Sequence, residues 1–464
     1  MELFDFIDNV QTEMGEIQRC FFNEWNTQIR RYFSLPDDFS IESYIDVFGG
    51  YRLSDAQYQK LDDELKHFYQ QRIIRQNGSY HLRGYDYYSV DPLIHLQKNR
   101  KDPQQFWSVL QKKLQSYESA YTFSFLTCQP VSFVNWIGTL GFLEYMFSDL
   151  TSLMWFIYRN HEHLVFKMAN SEYALNSRLR KSVEIIGESL AALLFFDCQH
   201  AQQLLQTNIH QIIPLDLSAY LDLSNCKVEN WNALRSIREG DSLVLIYAAY
   251  LIKLSPCLKA QHLKKILLLS NCFGAMNIGS IIKPLLSYEH EVNCVSYNVL
   301  YAQNRAEEDA IYEGDYSRSC YIMDDNTLRA ADGVQAVFVI DDSIFSGKSF
   351  HEIKMHLQKC VVDSSCGIYL LPLTLNCDCI KYCRRGIRPD DDMNQIAVQV
   401  VNWARQTGNT LPPFTSFWDF CRQAYENMIC TECNEVRTVL RGDDLLMKHL
   451  WAKFEYNIVS EQVN

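Results

Sequence analysis

Surplus positive charge is the first thing this chain lacks. Lys and Arg number 43 against 56 Asp and Glu in 464 residues, a net charge of −13. That balance argues against broad electrostatic binding to nucleic acid or anionic membrane, while leaving a local basic site open. No leader is expected either, because Met1-Glu-Leu-Phe-Asp-Phe-Ile-Asp8 has neither the basic n-region nor the apolar core of a secretory signal. The expected compartment is therefore the cytoplasm, and the 16 cysteines read as reduced thiols or metal ligands rather than a disulfide framework. An uninterrupted membrane-length apolar run is also missing. The nearest candidate, Val131 to Tyr158, carries Glu144 and Asp149 and is punctuated by Gly138 and Gly141. A charged side chain at a bilayer centre costs about 2.5 kcal/mol or more. A buried helical hairpin in a soluble domain is the better expectation.

What is present is an ordinary globular balance, 47% hydrophobic and 21% charged, with length for two or three domains. Residues 1–235 show helical periodicity, few breakers and no fixed-period repeat. Leu3, Ile7 and Val10 begin it at three- and four-residue intervals. Ser54 is placed to cap a helix, and Asn77-Gly78 between Ile73-Ile74 and Tyr80 to Leu82 predicts a hairpin turn, either a small β element or a wing. Successive helices are expected over 104–121, 132–158, 173–196 and 201–212. Arg178, Arg180 and Lys181 read as a solvated helix face, and His161-Glu-His163 lacks the i, i+4 spacing of a zinc-protease helix.

The most informative run is Ala336-Val-Phe-Val-Ile340 followed by Asp341, Asp342, Ser343, Ile344, Phe345, Ser346, Gly347, Lys348 and Ser349. Five apolar, β-prone residues predict a strand buried on both faces. Two carboxylates follow where that strand should end. A loop of hydroxyls and glycine comes next, and then Phe350 to Leu357 at helical spacing. Backbone amides at such a helix start can wrap a phosphate. Ser346-Gly347-Lys348-Ser349 ends like a nucleoside-triphosphatase P-loop, but Asp342 stands where that motif needs glycine.

This run resembles the phosphoribosyl-diphosphate (PRPP) motif of the type I phosphoribosyltransferases. The resemblance implies that Asp341 and Asp342 receive the ribose hydroxyls and that Ser343 to Ser349 cradle the 5-phosphate, with Gly347 allowing close backbone approach. Phe345 departs, standing where the hypoxanthine-guanine enzymes carry an aspartate. Upstream, Lys265 to Leu269 predicts a first strand, and Asn271, Cys272 and Gly274 fall where the family holds pyrophosphate. That loop lacks a second glycine and any Lys or Arg. A strand is expected over 292–299, then a polar stretch from Gln303 to Gly333 at the place of the family's closing hood. Tyr312, Tyr316 and Arg318 lie within it. Gly367 to Leu375 predicts another strand.

The implied fold is α/β: a parallel-sheet phosphoribosyltransferase-like domain over 236–376, a large mainly helical region over 1–235 and a small helical region over 377–464. In the last region, Cys379 and Cys383 with Cys430 and Cys433 have the spacing of a structural Zn²⁺ site. Unliganded thiols are the alternative.

Two functions follow as expectations. One is transfer of a phosphoribosyl group from PRPP, with Mg²⁺, to an unknown acceptor with release of pyrophosphate. The other is a non-catalytic PRPP or nucleotide sensor that regulates the helical region or its protein partner. A third, a nucleotide-targeting effector of bacterial defence, rests on the architecture alone.

Overall fold

A computed structural model of the chain describes residues 21–45, 50–70, 74–76, 79–82, 131–160, 170–212, 243–272, 275–301, 320–322, 333–344, 353, 357 and 366–375. These residues fall into two compact units. One takes Phe21, 247–275 and the residues from 292 onward; the other takes 22–246 and 276–291.

The second unit is mainly helical. Its long helices are Phe133–Asn160, Asn170–Leu194 and Cys198–Ile212. The Phe133–Asn160 segment is one continuous helix of 28 residues, a correction to the expected hairpin. Gly138 and Gly141 do not break it, because each gives room to a neighbour. A Cβ at Gly138 would come within 2.6 Å of Leu61 Cδ1, and one at Gly141 within 2.6 Å of the Tyr69 hydroxyl. Tyr69 then donates to the Gly138 carbonyl at 2.7 Å. Glu144 is used structurally: its Oε1 accepts from the Tyr51 hydroxyl at 3.0 Å and the Leu243 amide at 3.2 Å. No described helix is long and apolar enough to cross a membrane.

Local signals set the small elements of this unit. Ser54 caps the Asp55–Gln59 helix, and Gln57 completes a reciprocal capping box. Strands β1 (Tyr51–Ser54), β2 (Ile74–Gln76) and β3 (Ser79–Leu82) form an antiparallel sheet in the order β1-β3-β2. The β2–β3 pairing is the hairpin expected around Asn77-Gly78, whose two residues lie outside the described set. Asp197 accepts from the His200 amide at 3.2 Å and so caps the Cys198–Ile212 helix. Just before it, Phe196 takes a left-handed conformation with φ of 60°. Its ring stacks on Tyr32 at 4.7 Å and on Trp136 at 5.7 Å, which holds a non-glycine residue there.

The first unit is built on a five-stranded sheet. It comprises β4 (Lys265–Cys272), β5 (Asn293–Tyr301), β6 (Cys320–Ile322), β7 (Ala336–Ile344) and β8 (Gly367–Leu375), in the order β6-β5-β4-β7-β8. Four of these strands, β5, β4, β7 and β8, are parallel, and β6 alone pairs antiparallel. The fold is thus mixed α/β with a parallel core. Leu267 to Leu269 and Ala336 to Ile340 are fully buried, as strands covered on both faces require. Pro372 sits in β8, an edge strand among the described residues, where a missing amide is tolerated. Ile353 and Leu357 are helical and fully buried four residues apart, matching the periodicity expected after β7.

A helical stretch leads into β4. It runs on through Ser255 and Pro256. A π segment, Tyr250–Leu254, links the helices Leu243–Ala249 and Ser255–Gln261, and Pro256 lies at the start of the second. The Ser255 amide reaches back to the Tyr250 carbonyl, so the wider turn absorbs the residue that cannot donate.

Candidate functional site

Sheet topology singles out one place. From β4 the chain goes to β5 on one side, then returns to β7 on the other. The segments leaving β4 and β7 therefore diverge, which makes the carboxyl ends of these two strands the topological switch point of the sheet. In open parallel α/β sheets ligands bind in that crevice.

The ladders show how the crevice opens. The last register pair between β4 and β7 is Ser270 with Ile340. Beyond it β4 keeps to β5 as far as Cys272 opposite Leu300, and β7 keeps to β8 as far as Ile344 opposite Leu375. The amino end is closed instead. Gln335 Oε1 accepts from the Lys264 and Lys265 amides at 2.6 and 3.1 Å, and the Gln335 amide donates to the Lys265 carbonyl at 2.9 Å.

Two polar side chains meet at the open end. Asn271 Nδ2 donates to Asp341 Oδ2 at 3.2 Å, one residue beyond the last register pair. Asn271 is only 7% exposed, and its own carbonyl accepts from the Ala275 amide at 2.9 Å. Its side-chain Oδ1 is buried and has no hydrogen-bond partner among the described residues. The amide orientation follows from chemistry, since turning Oδ1 toward Asp341 would set two acceptors face to face. Asp341 is half-buried.

The structure places the expected residues as follows. Asp341, Asp342, Ser343 and Ile344 all belong to β7, which runs four residues past the point where the sequence suggests its end. Asn271 and Cys272 likewise belong to β4 rather than to the following loop. Backbone pairing with β5 and β8 carries both strands on through polar residues. Gly274, Phe345, Ser346, Gly347, Lys348 and Ser349 lie outside the described residues, as do Tyr312, Tyr316, Arg318, Cys379, Cys383, Cys430 and Cys433. Within the Gln303 to Gly333 stretch the structure describes Cys320–Ile322 as strand β6, so this stretch is not wholly a loop. Among the described residues no cluster of three or more His, Cys, Asp or Glu could hold a metal ion.

The Asn271–Asp341 pairing is the feature the sequence reading missed. A signal for it exists: aligning the apolar runs Ile266 to Leu269 and Ala336 to Val339 sets the register and brings these two residues opposite each other. Comparison with known proteins finds no matching family model, no matching curated protein and no matching solved structure.

Proposed function

We propose that the crevice between β4 and β7 binds a ribose 5-phosphate compound, PRPP or a related nucleotide, in the manner of a type I phosphoribosyltransferase. The observation that supports this most is the acidic pair Asp341-Asp342 at the switch point, next to a hydroxyl- and glycine-bearing stretch. Asp341 and Asp342 hold the ribose hydroxyls, and Ser343 to Ser349 anchor the 5-phosphate mainly through backbone amides. In the transferase form of this reading, C1 of the ribose gains positive charge as pyrophosphate leaves, and the carboxylates stabilise it. A bound Mg²⁺ supplies charge neutralisation on the pyrophosphate, and the Asp341 carboxylate is a hard oxygen donor of the kind Mg²⁺ accepts.

A second reading has its own supporting observation. No Lys or Arg occurs between Ser270 and Ile282, so nothing basic follows β4 to receive pyrophosphate. This favours a binding module whose occupancy regulates the helical region or a protein partner. The strand that carries Asn271 leads within a few residues to the Gly279–Glu289 helix, which belongs to the second unit.

One experiment separates the two readings. The protein is incubated with PRPP and Mg²⁺, with and without a pool of bases, and released pyrophosphate is measured. Release that disappears in Asp341→Asn supports transfer. Saturable PRPP or nucleotide binding without release supports the sensor. Neither binding nor release overturns the proposal.

A further inference from the structure

Independently of the crevice, we propose that the helices Asp55–Gln59 and Asp63–Tyr69, together with the β2–β3 ribbon, form a docking surface for duplex DNA.

The order of the elements suits this role. The two helices are joined by three residues, Lys60, Leu61 and Asp62, the spacing of a helix-turn-helix. The ribbon follows, with β2 antiparallel to β3, and β3 pairs in turn with β1 just ahead of the first helix. A major groove admits either an α-helix or a two-stranded ribbon, so both parts have the dimensions required. They are also fixed to each other. Tyr58 of the first helix stacks on Tyr80 of β3, with ring centroids 4.0 Å apart and planes 9° from parallel. The second helix is held from behind. Leu65, Phe68 and Tyr69 are buried, and Phe68 meets Phe142 edge-on at 4.5 Å. Its outer stripe, Asp63, His67 and Gln70, is exposed.

Charge distribution names the partner. Acidic residues number 56 in 464, yet none falls between Leu65 and Tyr85. That span holds Lys66, Arg72, Arg75 and Arg83, together with His67 and His81. A phosphate backbone is the polyanion such a stretch attracts, and the net negative charge of the chain works against contact elsewhere. The acids just ahead are engaged locally. Asp62 caps the second helix by accepting from the Glu64 amide at 2.9 Å, and Asp63 pairs with Lys66 at 3.0 Å. They keep the amino end of that helix out of a groove, where phosphates lie on both sides. The ribbon therefore leads, with Arg75 on one strand and His81 on the other, and the later half of the helix follows. Contacts of this kind hold phosphate rather than read base sequence.

The test is fluorescence anisotropy on the full chain with a labelled random-sequence DNA duplex, its double-stranded RNA counterpart and its single strand, over a range of salt. Duplex DNA should bind with a Kd of about 10⁻⁴–10⁻⁶ M near physiological salt, and more tightly as salt is lowered. Arg75→Gln should weaken binding to all duplex sequences alike and flatten the slope of log affinity against log salt by about 0.9, one phosphate contact. Lys181→Gln removes the same charge from an exposed position on the Asn170–Leu194 helix and should change neither quantity. The wild-type comparison needs no variant to fold. Absence of duplex binding at low salt overturns the inference and leaves this surface to a protein partner. Tighter binding of the RNA or of the single strand overturns the choice of duplex DNA. A slope that Arg75→Gln leaves unchanged, or that Lys181→Gln flattens as much, overturns the placement of the surface. None of these outcomes alters the proposed function, which PRPP binding and pyrophosphate release test separately.

Discussion

At the scale of single residues, the two parts of the expected ligand site should fail differently. Asp342→Asn keeps the shape of a carboxylate but removes a charged acceptor, worth about 1.5–3 kcal/mol in a hydrogen bond. Affinity for the better binder of PRPP and ribose 5-phosphate should drop roughly ten- to a hundredfold. Gly347→Val should do more damage, since a β-branched side chain obstructs the backbone approach to phosphate. Lys348→Ala should be the mildest, because amides do most of the holding. Calorimetry with sugar phosphates and with ATP reads this order. Tight ATP binding abolished by Lys348→Ala would mean a P-loop instead. Cys198 gives a second test at this scale. It is buried, and burial pushes its thiol up to about 11 from an ordinary 9.0, partly countered by the hydrogen bond from Tyr32. The folded chain holds this proton more tightly than the unfolded chain does. Its stabilising contribution is thus complete below the ordinary thiol pKa and is lost as pH rises through the folded value. At pH 8 the thiolate is scarce and inaccessible, so iodoacetamide should leave Cys198 unmodified in the native protein and alkylate it in urea. Mass spectrometry of the peptide reads the difference, and rapid native labelling would contradict the burial.

At the scale of elements, close packing explains where the periodicity misleads. Glycines and prolines mark breaks in isolated segments, yet here three helices run through them. Gly138 and Gly141 admit side chains against the Phe133–Asn160 helix. Pro256 follows a π segment. Pro284 lies inside the Gly279–Glu289 helix and, lacking an amide hydrogen, leaves the Ser280 carbonyl without its usual helical donor. That carbonyl faces Gly187 of the Asn170–Leu194 helix, where an added Cβ would clash with it and come within 2.8 Å of the Ser280 carbonyl carbon. Gly187→Ala gains about 1 kcal/mol of helix propensity but overpacks against backbone, which cannot rotate away and typically costs about 1–3 kcal/mol. Packing should win, and the thermal midpoint should fall. A raised midpoint in a calorimetric scan would show that these helices are not in backbone contact.

For the whole molecule, a good part of the architecture was legible in the sequence. Gly367–Leu375 is a strand over the span its apolar run suggests, the hairpin forms around Asn77-Gly78, and Ser54 caps its helix. These features depend on local preference and on burial of period-two or period-3.6 stripes, which neighbouring residues carry by themselves. The motif strand also lies inside the sheet, between β4 and β8. The ends of β4 and β7 were less legible. Polarity sets in at Ser270 and at Asp341, and polarity alone reads as a loop. Hydrogen bonds from β5 and β8 carry both strands further, and those partners come from distant parts of the chain. By itself, then, the sequence determined many of the kinds of element, several buried faces and the acidic pair with the hydroxyl- and glycine-bearing stretch after it. Only the tertiary structure decided that β4 and β7 part after Ser270 and Ile340, and that Asn271 donates to Asp341 while its Oδ1 is buried without a partner among the described residues. The physical reason is that side-chain identity encodes local conformation and burial, whereas strand order and register arise from pairing between segments 70 residues apart.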